Sequence, residues 1–168
     1  MSSPFTQSAS WIWSAEGTHA VPPAGAGSPS HYQVRLFRRT FDLVEGFASP
    51  PPVHLSADSR YLFYCNGTLL GRGPAKGDVN HHFYDRYDLG PHLRPGRNVL
   101  AALVLDMSRV AHRPALLGAP CSVMTYAGGF VLDGGEWSTD ACWKVAVDTA
   151  HHFQNDGTTF EGYQGYFE

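Results

Sequence analysis

Hydrophobic residues fall along this chain in short runs that Gly, Pro and Asn interrupt at close intervals. Tyr61 to Cys65 is aromatic and apolar, Asn66-Gly67 breaks the run, and Thr68-Leu69-Leu70 resumes it. Two antiparallel strands joined by a tight turn with positive φ at its centre account for that order, which makes Asn66 a turn residue first. Gly71-Arg72-Gly73-Pro74 ends the second strand, because Pro74 has no N–H for a ladder and the glycines read as adding flexibility alone. Asp88-Leu89 then opens a short connection through Pro91 and Leu93, and Pro95-Gly96 makes a turn. Val99 to Leu105 follows as a nearly continuous apolar run, the pattern of a buried central strand.

The rest of the chain has the same texture. Tyr32 to Leu43 is a strand in which Val34 and Leu36 alternate with Gln33 and Arg35 before Phe37 and Phe41 take over. Trp11 to Trp13 is a first strand or anchor, and Cys121 to Leu132 and Thr139 to Val147 complete the sheets. Val21 to Ser30 and Ser49 to Pro52 are breakers, and Met107 to Pro120 is a long connection of the kind that carries function. Nowhere does apolar spacing at i, i+3, i+4 and i+7 persist for the length of a helix, and no repeat recurs at a fixed period. The expected fold is all-β with little helix: a flexible segment over 1–10 and a single β-sandwich domain over 11–168.

Composition narrows the function. A chain of 168 residues buries a sizeable core without disulfides or metals, and 18 Gly with 12 Pro suit many short strands joined by turns. The formal charge of -3 argues against nucleic acid, which needs a basic face. Arg38-Arg39 does not supply one, since neighbours on a strand point to opposite faces; both read as strand-surface residues. Cys65, Cys121 and Cys142 form neither a disulfide framework nor a CxxC zinc pattern. No stretch has the length of a membrane span, and the first residues lack a signal-peptide pattern, so the cytoplasm is the expected compartment. Asn66-Gly67-Thr68 is a formal glycosylation sequon, more simply read as turn chemistry.

The pieces SADSRYLFYCNG, GRGP and YDRYDLGPHLRPGRNVLA, together with the upstream WIW and LFRRTFDL, resemble the N-terminal β-sandwich accessory region of bacterial α-L-rhamnosidases of the family 78 glycoside hydrolases. The strand of Trp143-Lys144-Val145 after Thr139-Asp140 resembles the one that closes that domain. The likeness runs from about Trp11 to Glu168 and rests on the order of the pieces, since an NG or a PGRN alone fits any hairpin. It implies a jelly-roll β-sandwich, galactose-binding-like in type, whose aromatic ending GYQGYFE leads into further domains of a larger hydrolase.

Glycoside hydrolysis needs two carboxyl groups facing across a sugar. In rhamnosidases these sit on a separate helical barrel, none of whose motifs matches a position here, so no catalytic residue is assigned. The pairs His81-His82 and His151-His152 lack HxH or HExxH spacing and read as loop or edge histidines. The glycines from Gly71 to Gly77 fit neither GxGxxG nor GxxxxGK. Carbohydrate is the better ligand class, bound by stacked aromatic rings and by Asp, Asn and Arg side chains. The candidate residues are Asp58, Arg60, Tyr84, Asp85 and Asp106, each of which also has a purely structural reading; Asp58 and Arg60 share a face if their strand continues. Some rhamnosidase accessory modules bind rhamnose with the help of calcium. That site has no residue-by-residue match here, so no cofactor is assigned, and loop acids such as Asp78 and Asp156 are what the chain offers to calcium.

Three functions follow, in descending order. The first is a non-catalytic domain packed against the catalytic domain of a rhamnosidase-like enzyme. The second is a carbohydrate-binding module for rhamnosides or plant cell-wall glycans, and the third is a small hydrolase. An exposed apolar face would favour the first, and a concave aromatic pocket flanked by acids the second.

Overall fold

The structure is a computed structural model, and it describes residues 5, 8–14, 33–58, 60–75, 77, 82–106 and 128–151. Among the described residues eight strands make two antiparallel sheets: β1 (Gln33–Leu43), β2 (Val53–Asp58), β3 (Arg60–Cys65), β4 (Thr68–Gly73), β5 (Asp85–Tyr87), β6 (Gly96–Asp106), β7 (Gly129–Asp133) and β8 (Lys144–Val147). The larger sheet runs β4-β3-β6-β1-β8 and the smaller β5-β2-β7. Among the described residues helix is limited to two single 3-10 turns, Gly90–His92 and Gly135–Trp137.

The sheets form a β-sandwich because each has an apolar parity. Val53, Leu55 and Ala57 of β2 face Tyr61, Phe63 and Cys65 of β3 and Leu100, Ala102 and Val104 of β6 across one core. Phe37 stacks on Phe130 of the opposite sheet at 5.0 Å between centroids, and Phe63 meets Tyr87 at 5.3 Å. Each such ring, buried from water, contributes about 1.5–3 kcal/mol.

Asn66 and Gly67 join β3 to β4 with φ of 50° and 84°, the paired positive values that a two-residue hairpin turn requires. Asn66 does more than turn the chain. Its Oδ1 accepts from the Val99 amide at 2.9 Å, and its Nδ2 donates to His92 O at 2.9 Å and to Asn98 Oδ1 at 2.8 Å. Asn98, fully buried, donates in turn to the carbonyls of Arg94 (2.6 Å) and Gly96 (2.9 Å) and accepts from the Arg94 amide at 3.0 Å. The hairpin and the Pro95-Gly96 turn are thereby held as one unit.

Several expectations need correction. Thr139 to Trp143 is no strand: a turn over Asp140–Trp143 precedes β8, with the Asp140 carboxylate accepting from the Cys142 amide at 2.7 Å. Of Cys121 to Leu132, the strand begins at Gly129, and 121–127 lie outside the described residues. Of the two readings of Trp11 to Trp13, strand or anchor, the anchor holds: Ile12 makes an isolated bridge to Phe130. Arg38 is exposed, but Arg39 points inward and is half-buried, with its guanidinium on Asp140 at 2.5 Å and on Glu136 O at 3.0 Å. The segments 21–30 and 107–120, Cys121, and the aromatic ending lie outside the described residues.

Candidate functional site

The five candidate residues fall in three places. Asp58 ends β2, Arg60 begins β3 and Asp106 ends β6, which brings these three to the same end of the sandwich. Asp58 and Arg60 would share a face if their strand continued, and it does not. Asp58 pairs with Gly129 in the small sheet, and Arg60 with Leu105 in the large one, so the chain changes sheets between them. Asp58 is 0% and Asp106 2% exposed, which leaves neither carboxylate open to a sugar. Arg60 is half-buried and donates through Nη1 to the Pro74 carbonyl at 2.9 Å, where a cis peptide joins Gly73 to Pro74. None of the three lacks a partner.

Asp85 stands apart from that end. On β5 it pairs with Leu55 and faces inward, where its carboxylate accepts a short hydrogen bond from the Tyr61 hydroxyl. The Tyr61 and Tyr87 hydroxyls lie 3.0 Å apart, completing a polar cluster between the sheets. Burial above all, with the bonds to Asp85 and Tyr87 adding to it, pushes the Tyr61 phenol far above its usual range. Burial likewise raises Tyr87.

The glycines of β4 explain how the cluster fits. A Cβ on Gly71 would meet Tyr87 Oη at 2.5 Å, and one on Gly73 would run into the Asp85 carboxylate and lie 2.8 Å from Tyr61 Oη. These glycines make room for three polar side chains, so reading them as flexibility alone was wrong. Tyr61 and Tyr87 were missed from sequence. The available signal was parity: Tyr61 shares its side of β3 with Phe63 and Cys65, and a hydroxyl in that buried column needs a partner.

Tyr84 is the one candidate ring open to solvent, at 45% exposure. It lies on the outer face of the small sheet, edge-on to His54 at 5.4 Å and to Phe5 at 6.0 Å. Nearby, Ser56 Oγ donates to the Phe83 carbonyl at 2.7 Å, and Trp11 meets His82 edge-on at 6.3 Å. His151 is bonded to Asp148 at 2.6 Å, in keeping with a loop histidine. Asp78 and Asp156, named above for calcium, lie outside the described residues, as do His81 and His152. Among the described residues no three His, Cys, Asp or Glu side chains cluster as metal ligands would, and no helix is long and apolar enough to cross a membrane.

Neither a family model nor a curated protein matches the sequence, but solved structures do. A family 78 rhamnosidase of Bacillus sp. GL1 is 31% identical over 83% of this chain and 13% of its own, with a TM-score of 0.55. The α-L-rhamnosidase of Streptomyces avermitilis, solved with L-rhamnose, is 21% identical over 92% of this chain and 13% of its own, at a TM-score of 0.50. That of Aspergillus terreus is 14% identical over 84% of this chain and 17% of its own, at 0.54. The last two likenesses show the fold alone, and the chain spans well under a fifth of each enzyme. In fold, and against the Bacillus enzyme in sequence, this chain resembles one β-sandwich accessory segment of the family 78 α-L-rhamnosidases.

Proposed function

We propose that this β-sandwich is a non-catalytic accessory domain of an α-L-rhamnosidase-like glycoside hydrolase, packed against that enzyme's catalytic domain. The observation that carries the reading is 31% identity over 83% of the chain to a segment that makes up only 13% of a rhamnosidase. The interior supports it. Asp58 and Asp106 are buried and Asp85 is held by Tyr61, so the described carboxylates at the candidate positions serve the scaffold. The test is to put this chain in place of the matching segment of the Bacillus sp. GL1 enzyme. Activity that deletion of the segment abolishes should return with the replacement, and a replaced enzyme that stays inactive overturns the reading. Turnover of an aryl rhamnoside by the 168-residue chain alone would revive the small-hydrolase reading.

A second reading, contact with carbohydrate, rests on Tyr84, whose exposed ring beside His54 and Phe5 offers a stacking surface. Titration with L-rhamnose and a rhamnosyl disaccharide, followed by tryptophan fluorescence with calcium and then with chelator, tests it. Saturation that Tyr84→Ala abolishes would support it. No response at about ten times the millimolar range of weak single-sugar sites would exclude it.

A further inference from the structure

Strand β6 carries apolar residues on both faces, but the described fold covers the outer one only at its Leu105 end. Leu100, Ala102 and Val104 face the core, whereas Val99, Ala101 and Leu103 face outward and stay half-exposed at the centre of the large sheet. Register extends this outer patch across the sheet. Leu103 pairs with Leu62 on one side and Leu36 on the other, and Leu36 pairs with Ala146. One row along, Ala101 pairs with Tyr64, which pairs with Leu69. Leu36 is 40% and Leu69 44% exposed.

The exposed charges that border this patch are cationic. Arg72 flanks the first row, and Arg38 and Lys144 flank the second, all exposed. Among the described residues two acids share this face: Asp42, beyond the patch beside Arg97 at 3.8 Å, and Asp148, opposite Val34 in the covered end row and bonded to His151 at 2.6 Å. A chain with net charge -3 has thus gathered cations around an apolar centre.

We propose that this outer face is the surface that receives the neighbouring domain of the parent hydrolase, through an apolar patch with a carboxylate rim. The proposal rests on the accessory-domain reading and specifies its contact. Two quantities choose this occupant over a second copy. At strand and side-chain spacing the two rows, cationic positions included, measure roughly 24 by 13 Å, about 300 Å². That lies at the lower end of the ~300–750 Å² per side of contacts between domains of one chain and below the ~800 Å² per side of a stable complex of separate chains. A two-fold pairing would also set the patch with its cationic rim against an identical one, which like-charge repulsion opposes.

Hydroxyl-radical footprinting of the unmutated chain, free and as the replacement segment in the Bacillus sp. GL1 enzyme, tests the proposal. Leu36, Tyr64, Leu69 and Leu103 should lose most of their labelling in the replaced enzyme, while Tyr84 and Trp11 on the other sheet keep theirs. An active replaced enzyme with Leu36 and Leu69 labelled as in the free chain would overturn this face as the contact and leave the accessory reading standing. An inactive replaced enzyme would remove both. Protection of the same residues in the free chain as its concentration rises would give the face to a second copy, which also overturns the proposal.

Discussion

Asn98→Ala is the sharpest probe of how the hairpin and the following turn depend on each other. The substitution removes four hydrogen bonds: two donated to the Arg94 and Gly96 carbonyls and two accepted from the Asn66 side chain and the Arg94 amide. At about 1 kcal/mol net for each, the loss would be about 4 kcal/mol. Arg94 and Gly96 are exposed enough for water to replace part of it, which lowers the expectation to roughly 2–4 kcal/mol. In urea unfolding this should appear as a midpoint lower by about 1–2 M with an unchanged slope, or a Tm lower by about 4–16 °C. Asn66→Gly keeps the positive φ accessible while removing the side chain, so a double-mutant cycle between the two isolates their contact, expected at about 1 kcal/mol. A loss below about 1 kcal/mol for Asn98→Ala, or additive effects in the cycle, would show that the two asparagines do not hold the turn.

Gly73→Ala and Gly71→Ala should each destabilise by about 1–3 kcal/mol through the collisions with Asp85, Tyr61 and Tyr87, while Arg72→Ala, exposed between them, stays within about 0.5 kcal/mol; thermal melts decide. Stability should fall as pH rises above about 10, because the unfolded chain then ionises its tyrosines while burial keeps Tyr61 and Tyr87 protonated in the fold. Tyr61 contributes up to about 1.4 kcal/mol per pH unit to that slope. Urea midpoints from about pH 8 to 11 should therefore decline less steeply in Tyr61→Phe. Thr139→Val removes the hydroxyl that donates to Ser10 O at 2.6 Å, so amide exchange at Ser10 and Ile12 should quicken at a cost of about 1 kcal/mol.

Local patterns were readable from the chain wherever one or two residues determine the backbone. Asn66-Gly67 required positive φ, Pro95-Gly96 a turn, and the apolar run after it a central strand, and all three are present. What could not be read was which sheet each strand joins. Asp58 and Arg60 look like one strand because the sequence carries no sign that pairing partners change between them. The polar cluster was hidden for the same reason. Tyr61, Asp85 and Gly73 meet only once β3, β4 and β5 are assembled, and each has an ordinary local reading by itself. The jelly-roll type came from resemblance, and the β-sandwich itself followed from parity and turn spacing.

The two outer faces of the sandwich are treated differently, and the difference was already present in β1. Val34 and Leu36 hold one parity of that strand while Phe37 and Phe41 hold the other, so a strand apolar on both sides was written into the sequence. The small sheet covers its outer side with its own chain. Ser56 and Asp58 are buried there, Phe83 accepts from Ser56, and the Trp11 ring lies so close over Gly129 that a Cβ would meet it at 2.7 Å. On the large sheet, cover among the described residues reaches the end row, where Leu105 and Val34 are buried at 1% and 6%, while Leu36 in the next row is 40% exposed. Leaving such leucines in water gains nothing for folding, since a polar side chain at the same outward position would serve a free monomer better. An apolar parity that the described fold does not use is what a domain needs when part of its burial comes from a neighbour, and on this sandwich it occurs on the face that the described segments leave open.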